Sequence, residues 1–128
     1  MDIINVTAAI IRKGDKFLIA KRGKGKHLEG MWEFPGGKVE FSETPEECLK
    51  RELEEEFGVI SRINSFVAES VFNYGDKTIR LLGYNVEYIS GEFKLNAHEE
   101  IRWISTNEFD KFNFAPADLP LVRKITLV

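Results

Sequence analysis

The chain has 128 residues, 43% of them hydrophobic and 30% charged, with a formal net charge of −3. These values are typical of one soluble globular domain spanning 1–128, and the acidic balance disfavours a general nucleic-acid-binding surface. We expect no membrane partner, because no apolar run is long enough to cross a bilayer and the N-terminus lacks a signal-peptide pattern. The single cysteine, Cys48, rules out an internal disulfide and favours a cytoplasmic location. We expect it to pack rather than act as a nucleophile.

Apolar runs and turn residues indicate the strands. The runs 6–11 and 17–20 flank a turn at Gly14 and predict a hairpin, which a basic, glycine-containing loop at 21–27 follows. Two further strands are predicted at 66–72 and 79–88, on either side of an Asn-Tyr-Gly-Asp turn, and another at 101–104.

Three helices are predicted from cap residues and apolar periodicity. The first lies between Thr44 and Gly58, and a short one covers 105–111 with Ser105 or Thr106 as its cap. The last helix has Asp118 as its candidate cap and carries Leu119, Leu121, Val122 and Ile125. Strands and helices that do not strictly alternate predict an α+β fold with a mixed sheet.

The first helix has well-marked ends. Thr44 suits the N-cap, a proline follows at the first helical position, and Glu47 stands where a capping box requires it. Gly58 accepts the left-handed conformation that ends many helices. The apolar face that we expect to pack on the core consists of Leu49, Leu53 and Phe57.

Three glutamates crowd one region of this helix, namely Glu52, Glu55 and Glu56. At spacings of three and four residues they repel one another, and they lie near the helix C-terminus, where the helix dipole disfavours negative charge. Arg51 offsets part of this repulsion. A local cost of this kind often marks a functional site, and carboxylate oxygens are the ligands that Mg²⁺ prefers. The alternative is a solvated acidic face without function.

The segment Trp-Glu-Phe-Pro-Gly-Gly-Lys at 32–38 precedes the helix. Gly36 and Gly37 permit close approach of the backbone to a ligand, and a carbonyl here can complete the coordination of a metal. The alternative is an ordinary turn between a strand and a loop. A P-loop is excluded because Val39 follows Lys38 where Ser or Thr is required, and no G-x-G-x-x-G motif follows a strand.

Residues 37–59 fill every specified position of the pattern G-x5-E-x7-R-E-U-x-E-E-x-G-U, in which U is aliphatic. The pattern resembles the signature of the Nudix hydrolases, enzymes that cleave nucleoside diphosphates linked to another moiety. The positions are Gly37, Glu43, Arg51, Glu52, Leu53, Glu55, Glu56, Gly58 and Val59. The segments 32–38 and 114–118 also resemble the MutT-like branch, nucleoside triphosphate pyrophosphohydrolases that act on oxidised purines such as 8-oxo-dGTP or, in a sister group, on cytidine nucleotides. The resemblance covers most of the chain and implies an α/β/α sandwich.

The resemblance implies roles for individual residues. The implied catalytic residues are Glu52, Glu55, Glu56 and Arg51, the last of which orients the glutamates. The implied ligands of Mg²⁺, with Mn²⁺ as a substitute, are the carbonyl of Gly36 and the side chains of Glu52, Glu55 and Glu56, and one more acidic group comes from Glu99 or Glu100. The implied substrate-binding residues are Arg22, His27, Glu33, Phe34, Pro35, Gly36 and Asp118, with Lys77 on weaker grounds.

Four polar positions allow more than one interpretation. Asp118 stands where the MutT-like branch reads the base edge, commonly with Asn. An ionised Asp only accepts hydrogen bonds and suits the amine of cytosine, whereas a protonated Asp can serve a guanine. The same residue can also cap the last helix. His98 is expected at the surface, and both Glu99 and Glu100 can be merely exposed.

The implied reaction converts a nucleoside triphosphate to the monophosphate and pyrophosphate. A glutamate acts as the general base, and water attacks an internal phosphorus, which we expect to be the β one. One alternative is hydrolysis of another conjugate, such as ADP-ribose, a nucleotide sugar or a dinucleoside polyphosphate. A non-catalytic nucleotide-binding module is the other, but its glutamate set should carry substitutions, and here the set is intact. The expected partner is a small nucleotide, and the chain is expected to be a monomer or a homodimer.

Overall fold

The computed structural model describes residues 2–126. The domain predicted over 1–128 also includes Met1, Leu127 and Val128, which lie outside the described residues. The elements are, in order, β1 (Ile3–Lys13), β2 (Lys16–Arg22), β3 (Trp32–Glu33), α1 (Pro45–Phe57), β4 (Ile60–Asn73), β5 (Thr78–Ser90), β6 (His98–Ser105), two 3-10 helices (Thr106–Lys111 and Pro116–Asp118) and α2 (Leu119–Thr126). No helix in the described part of the chain is long and apolar enough to cross a membrane.

The strands form one mixed sheet in the order β3-β2-β1-β5-β4, and β6 also pairs with β2. The strands β1 and β5 are parallel, whereas the pairs β1–β2, β2–β3, β2–β6 and β4–β5 are antiparallel. The mixed sheet and the predicted hairpin of β1 and β2 are therefore confirmed, and β4 and β5 also pair as antiparallel strands. The strand β3 was not predicted, because its two residues are too short to show alternation.

Side chains of β1 and β2 alternate between two cores, one on each face of the sheet. Ala8 and Ile10 face one core, which includes Leu121 of α2, while Ala9 and Ile11 face the other. The second core also contains the predicted apolar face of α1, made of Leu49, Leu53 and Phe57. Burial on both faces explains why β1 reads as a continuous apolar run, and the two layers of helices make the sandwich.

The ends of α1 lie where the sequence predicts them. The hydroxyl of Thr44 accepts from the Glu47 backbone N–H at 3.1 Å, and Oε1 of Glu47 accepts from the Thr44 N–H at 2.8 Å. Gly58 closes the helix in the left-handed conformation, with φ of 71°. The side-chain amide of Asn96 donates to the Glu55 carbonyl at 3.0 Å, so the loop before β6 satisfies part of the helix C-terminus.

One expectation near the C-terminus needs correction. Asp118 does not serve as the cap of α2, because its carboxylate accepts a hydrogen bond from the Phe34 backbone instead. The short helix after β6 is a 3-10 helix, and Ser105 precedes it as predicted, donating from its N–H to Oε1 of Glu108 at 2.9 Å. The hydrogen bond between Phe34 and Asp118 places the segment before α2 against the start of the loop that follows β3.

Candidate active site

A cavity of about 350 Å³ opens beside α1 and is walled by β1, the loop after β3, the β4–β5 turn and residues 115–118. Most of the candidate site residues line it, namely Arg22, His27, Glu33, Phe34, Gly36, Glu52, Glu56, Lys77 and Asp118. These residues come from five separate parts of the chain and meet in one space. The cavity has an acidic end at α1 and a second, more enclosed end at Asp118.

The glycine loop runs along the edge of β1. Backbone N–H groups of Thr7 and Ala9 donate to the carbonyls of Gly37 and Pro35, at 2.8 and 2.7 Å. A Cβ added at Gly36 would overlap the Thr7 carbonyl oxygen, so this approach requires glycine. Because carbonyls alternate along an extended chain, that of Gly36 points away from β1, and Gly36 lines the cavity. Pro35 is held by β1 and does not line the cavity.

Glu56 is the most perturbed group at the acidic end. Its Oε1 is buried and has no hydrogen-bond partner among the described residues. Burial raises the pKa of Glu56 to about 7, the positive influence of His98 opposes that rise, and the negative charges of Glu52 and Glu33 add to it. A carboxyl of this kind is poised either to hold a proton or to exchange it for a cation.

Arg51 organises the neighbouring carboxylates. Its guanidinium donates to both oxygens of Glu43, at 2.7 and 3.1 Å, to Glu52 at 2.8 Å and to Glu55 at 3.1 Å. The hydrogen bonds from Arg51 lower the pKa of Glu43 to about 2 and raise the pKa of Arg51 itself. The contacts offset the repulsion expected between the glutamates and hold Glu52 at the edge of the cavity.

Carboxylate and carbonyl oxygens are ligands that suit a hard cation such as Mg²⁺, but in this structure the candidate ligands do not surround one point. Within residues 2–126, no three Asp, Glu, His or Cys side chains stand close enough to bind an ion as they are. Glu52 and Glu55 are bound to Arg51, and the side chain of Glu55 is 62% exposed, outside the cavity lining. Oε1 of Glu56, unpartnered in the described part of the chain, lies in the cavity lining with Glu52 and Gly36 and fits a divalent ion. An ion that took Glu52 and Glu55 as further ligands would have to draw both side chains away from Arg51.

Asp118 forms the enclosed end. It is 4% exposed, and its Oδ2 accepts from the Phe34 backbone N–H at 3.0 Å. Burial raises the pKa of Asp118 well above its usual value, and the charge of Glu33 raises it further. A carboxyl that stays protonated presents both a donor and an acceptor to whatever lies against it.

The side chain of His98 is buried, although the sequence predicted a surface position for it. Its side chain is only 5% exposed, Nε2 lies 2.8 Å from Oε2 of Glu33, and the ring stacks on Phe57. Glu33 also accepts from Arg22 at 2.9 Å. The expectation was wrong because all of these partners are distant in sequence, and the neighbouring acidic residues suggested an exposed segment.

The two acidic residues that follow His98 lie away from the cavity. Glu99 faces Lys21 at 3.8 Å with a half-exposed side chain, and Glu100 pairs with Arg102. Neither lines the cavity. Neither position therefore brings a further ligand toward Glu56 in this conformation.

The cavity also contains residues that the sequence did not single out. Lys26 and Lys38 add positive charge to its lining. Tyr74 packs edge-on against His27, with ring centroids 5.1 Å apart, and its hydroxyl accepts from the Ala117 N–H at 3.0 Å. The tyrosine in the predicted β4–β5 turn was visible in the sequence, but only the structure shows that it joins two other loops.

The chain is similar in sequence to a known protein family and to enzymes within it. A family model described as the NUDIX domain matches residues 1–125. The CTP pyrophosphohydrolase of Escherichia coli (strain K12) is 36% identical over 122 residues, which cover 95% of this chain and 90% of that protein. An 8-oxo-dGTP diphosphatase of Haemophilus influenzae is 36% identical over 124 residues, covering 96% of this chain and 91% of that protein.

Two further matches bear on the fold and on the range of substrates. The solution structure of the E. coli ORF135 protein superposes with a TM-score of 0.88 at 34% identity, covering 99% of this chain and 91% of that one. An ADP-ribose pyrophosphatase of Methanocaldococcus jannaschii is 33% identical over 110 residues, covering 82% of this chain and 63% of that protein.

Proposed function

Because this chain belongs to the Nudix hydrolase family, we propose that it hydrolyses a nucleoside triphosphate, oxidised or otherwise modified ones included, to the monophosphate and pyrophosphate. Enzymes of the family act on small nucleotides and generally use divalent metal ions. We further propose that the whole of 1–128 is one domain, which acts in the cytoplasm as a monomer or homodimer. The nucleotide-pool role follows from the names of the relatives, a CTP pyrophosphohydrolase and an 8-oxo-dGTP diphosphatase.

One observation carries the proposal. The buried carboxyl oxygen of Glu56, which has no hydrogen-bond partner within residues 2–126, borders the same cavity as a second, enclosed polar group, Asp118. A nucleoside triphosphate has this polarity, with a charged polyphosphate at one end and a base with hydrogen-bonding edges at the other. Arg22, Lys26 and Lys38 line the cavity between and around these ends, where they can offset phosphate charge.

The residues at the acidic end of the cavity would have different roles in the reaction. Glu52, Glu55, Glu56 and the Gly36 carbonyl are the proposed ligands of Mg²⁺, for which Mn²⁺ can substitute. When bound, such an ion neutralises phosphate charge and makes a coordinated water more acidic. Arg51 would steer the glutamates, and one glutamate would take the proton from a water that attacks the β phosphorus. Positioning and charge neutralisation supply most of the rate in such a site.

The protonation state of Asp118, at the enclosed end of the cavity, bears on which of two bases the site binds. A protonated Asp118 offers a donor and an acceptor, as an asparagine does, and can serve an oxidised guanine. An ionised Asp118 only accepts and suits the amine of a cytosine. Burial raises the pKa of Asp118 and favours its protonated form, but relatives of both kinds are similar to this chain. An oxidised guanine nucleotide and CTP or dCTP are therefore both candidate substrates.

The similarity to an ADP-ribose pyrophosphatase favours a second candidate. In that case the substrate is another nucleoside diphosphate conjugate, and the products are two monophosphates rather than a monophosphate and pyrophosphate. The intact glutamate set argues against a non-catalytic nucleotide-binding module.

The test is a product analysis with purified protein and Mg²⁺. The panel contains 8-oxo-dGTP, dGTP, dCTP, CTP, ADP-ribose and diadenosine tetraphosphate. Monophosphate and pyrophosphate from one triphosphate support the proposal, and the preferred base identifies what Asp118 contacts. Turnover of ADP-ribose or the dinucleotide alone would replace it with the second candidate, and binding without turnover would favour the non-catalytic module.

A further inference from the structure

The imidazole of His98 is packed inside the protein where β6 meets the cavity. Its ring stacks on Phe57 with centroids 5.2 Å apart and planes 13° from parallel, and Nε2 lies 2.8 Å from Oε2 of Glu33. The other ring nitrogen, Nδ1, is buried and has no hydrogen-bond partner in the described part of the chain. Glu33 is therefore the polar group that orients this ring.

The carboxylate of Glu33 is held at both of its oxygens. Oε1 accepts from Arg22 Nη1 at 2.9 Å, and a carboxylate paired with arginine only accepts hydrogen bonds. Nε2 of His98 must therefore be the donor to Oε2, whether the ring is neutral or protonated. The Glu33 side chain is 17% exposed, so loss of one donor would leave a largely buried oxygen without a partner.

Glu33 lies between the two ends of the cavity. Its negative charge contributes to the raised pKa of Glu56 at one end and of Asp118 at the other. A Glu33 carboxylate released from His98 could rotate toward the polyphosphate position. There it would add a third negative charge next to Glu52 and Glu56, and it would repel the substrate.

We propose that His98 is a positioning residue, which holds the Glu33 carboxylate beside Arg22 and away from the polyphosphate while its ring rests on Phe57 of α1. The contact joins β6 to β3 and to the acidic helix, which are otherwise separate walls of the cavity. His98 acts through Glu33 and does not itself touch the substrate. This inference rests on the proposed function, because a polyphosphate is the group that a displaced Glu33 would repel.

A double-mutant cycle tests the role. His98→Met keeps an unbranched side chain against Phe57 but cannot donate, and we expect it to raise KM for the triphosphate about tenfold with a smaller change in kcat. His98→Gln retains an N–H donor and should restore KM to within about threefold of wild type. In a Glu33→Gln background, His98→Met should change KM by less than about threefold. Equal losses in both backgrounds, or no recovery with Gln, would overturn the proposal.

A control and a second readout separate this role from simple packing and from the choice of reaction. Arg102→Gln removes an exposed side chain on the same strand and should leave KM unchanged. Nitrogen-15 NMR of the ring should show a proton fixed on Nε2 in wild type and exchange between tautomers in Glu33→Gln. If wild type turns over no triphosphate, the proposed function fails, and the ring spectrum still decides the contact. Exchange between tautomers in wild type would overturn the positioning role.

Discussion

The carboxylate of Asp118 accepts a hydrogen bond from the backbone N–H of Phe34, a residue 84 positions earlier in the chain, at 3.0 Å. The bond joins the segment before α2 to the start of the glycine loop. It also encloses a carboxyl that is 4% exposed, and burial raises the pKa of that carboxyl. Part of the pH dependence of the protein's stability should therefore come from this buried carboxyl.

The first prediction concerns Asp118→Asn, which keeps an oxygen for the Phe34 N–H but cannot ionise. An acid whose pKa is raised by folding contributes fully below its unfolded value of 3.8, and the contribution is lost as pH rises toward the folded value. The free energy of unfolding of wild type should therefore fall relative to the variant above that pH, by up to about 1.4 kcal/mol per pH unit.

Urea denaturation of both proteins between pH 4 and pH 8 measures this difference. Asp110→Asn removes an exposed aspartate and controls for the general loss of one negative charge. Parallel pH profiles for wild type and Asp118→Asn would contradict the assignment of a raised pKa to this carboxyl.

The second prediction concerns the pair formed by Glu43 and Arg51. The guanidinium of Arg51 lowers the pKa of Glu43 from 4.5 to about 2. A lowered pKa stabilises the fold above the unfolded value, and the contribution disappears as pH falls through the folded one. Glu43→Gln should therefore be less stable than wild type at pH 7, and the two should converge between about pH 4.5 and pH 2.

Glu40→Gln is the matched control, because the Glu40 carboxylate is 67% exposed and lies 3.6 Å from Arg51. An exposed pair of this kind contributes little, so its pH profile should follow that of wild type. A Glu43→Gln profile that stays offset from wild type down to pH 2 would show that the loss comes from packing and not from charge.

Features that depend on interactions between residues close in sequence could be predicted from the sequence. The ends of α1 follow from Thr44, Glu47 and Gly58, which act on backbone groups within five residues, and they were predicted correctly. The pairing of His98 with Glu33 and of Asp118 with Phe34 spans 65 and 84 residues, and no local pattern encodes either. A sequence motif indicates which residue types form the candidate site. Contacts between residues far apart in sequence determine which side chains line the cavity.

The third prediction separates the two glycines of the loop. A Cβ at Gly36 would overlap the backbone carbonyl of Thr7, which cannot move without β1, so Gly36→Ala should lose about 1–3 kcal/mol of stability or more. A Cβ at Gly37 would meet the Glu52 side chain, which can rotate. Gly37→Ala should therefore keep most of its stability and lose kcat.

Thermal unfolding and steady-state kinetics of the two variants measure the contrast. Gly23→Ala serves as the stability control, since a Cβ there meets nothing within 4 Å. Equal stability losses in Gly36→Ala and Gly37→Ala would indicate that the Glu52 side chain is as rigid as the backbone of β1.

The fourth prediction tests the acidic end directly with Glu56→Gln. The amide has nearly the same size as the carboxyl, so the fold should survive, and removal of a group that is costly to ionise should raise stability slightly at high pH. The same change removes a proposed cation ligand, and kcat should fall by about a hundredfold or more, which corresponds to roughly 3 kcal/mol.

Glu54→Gln makes the same substitution two residues away on the exposed face of α1 and should retain wild-type kcat. Pyrophosphate release with the preferred triphosphate measures both variants, and circular dichroism checks their folding. A folded Glu56→Gln variant with near-normal turnover would remove Glu56 from the catalytic set and leave its buried carboxyl without a catalytic role.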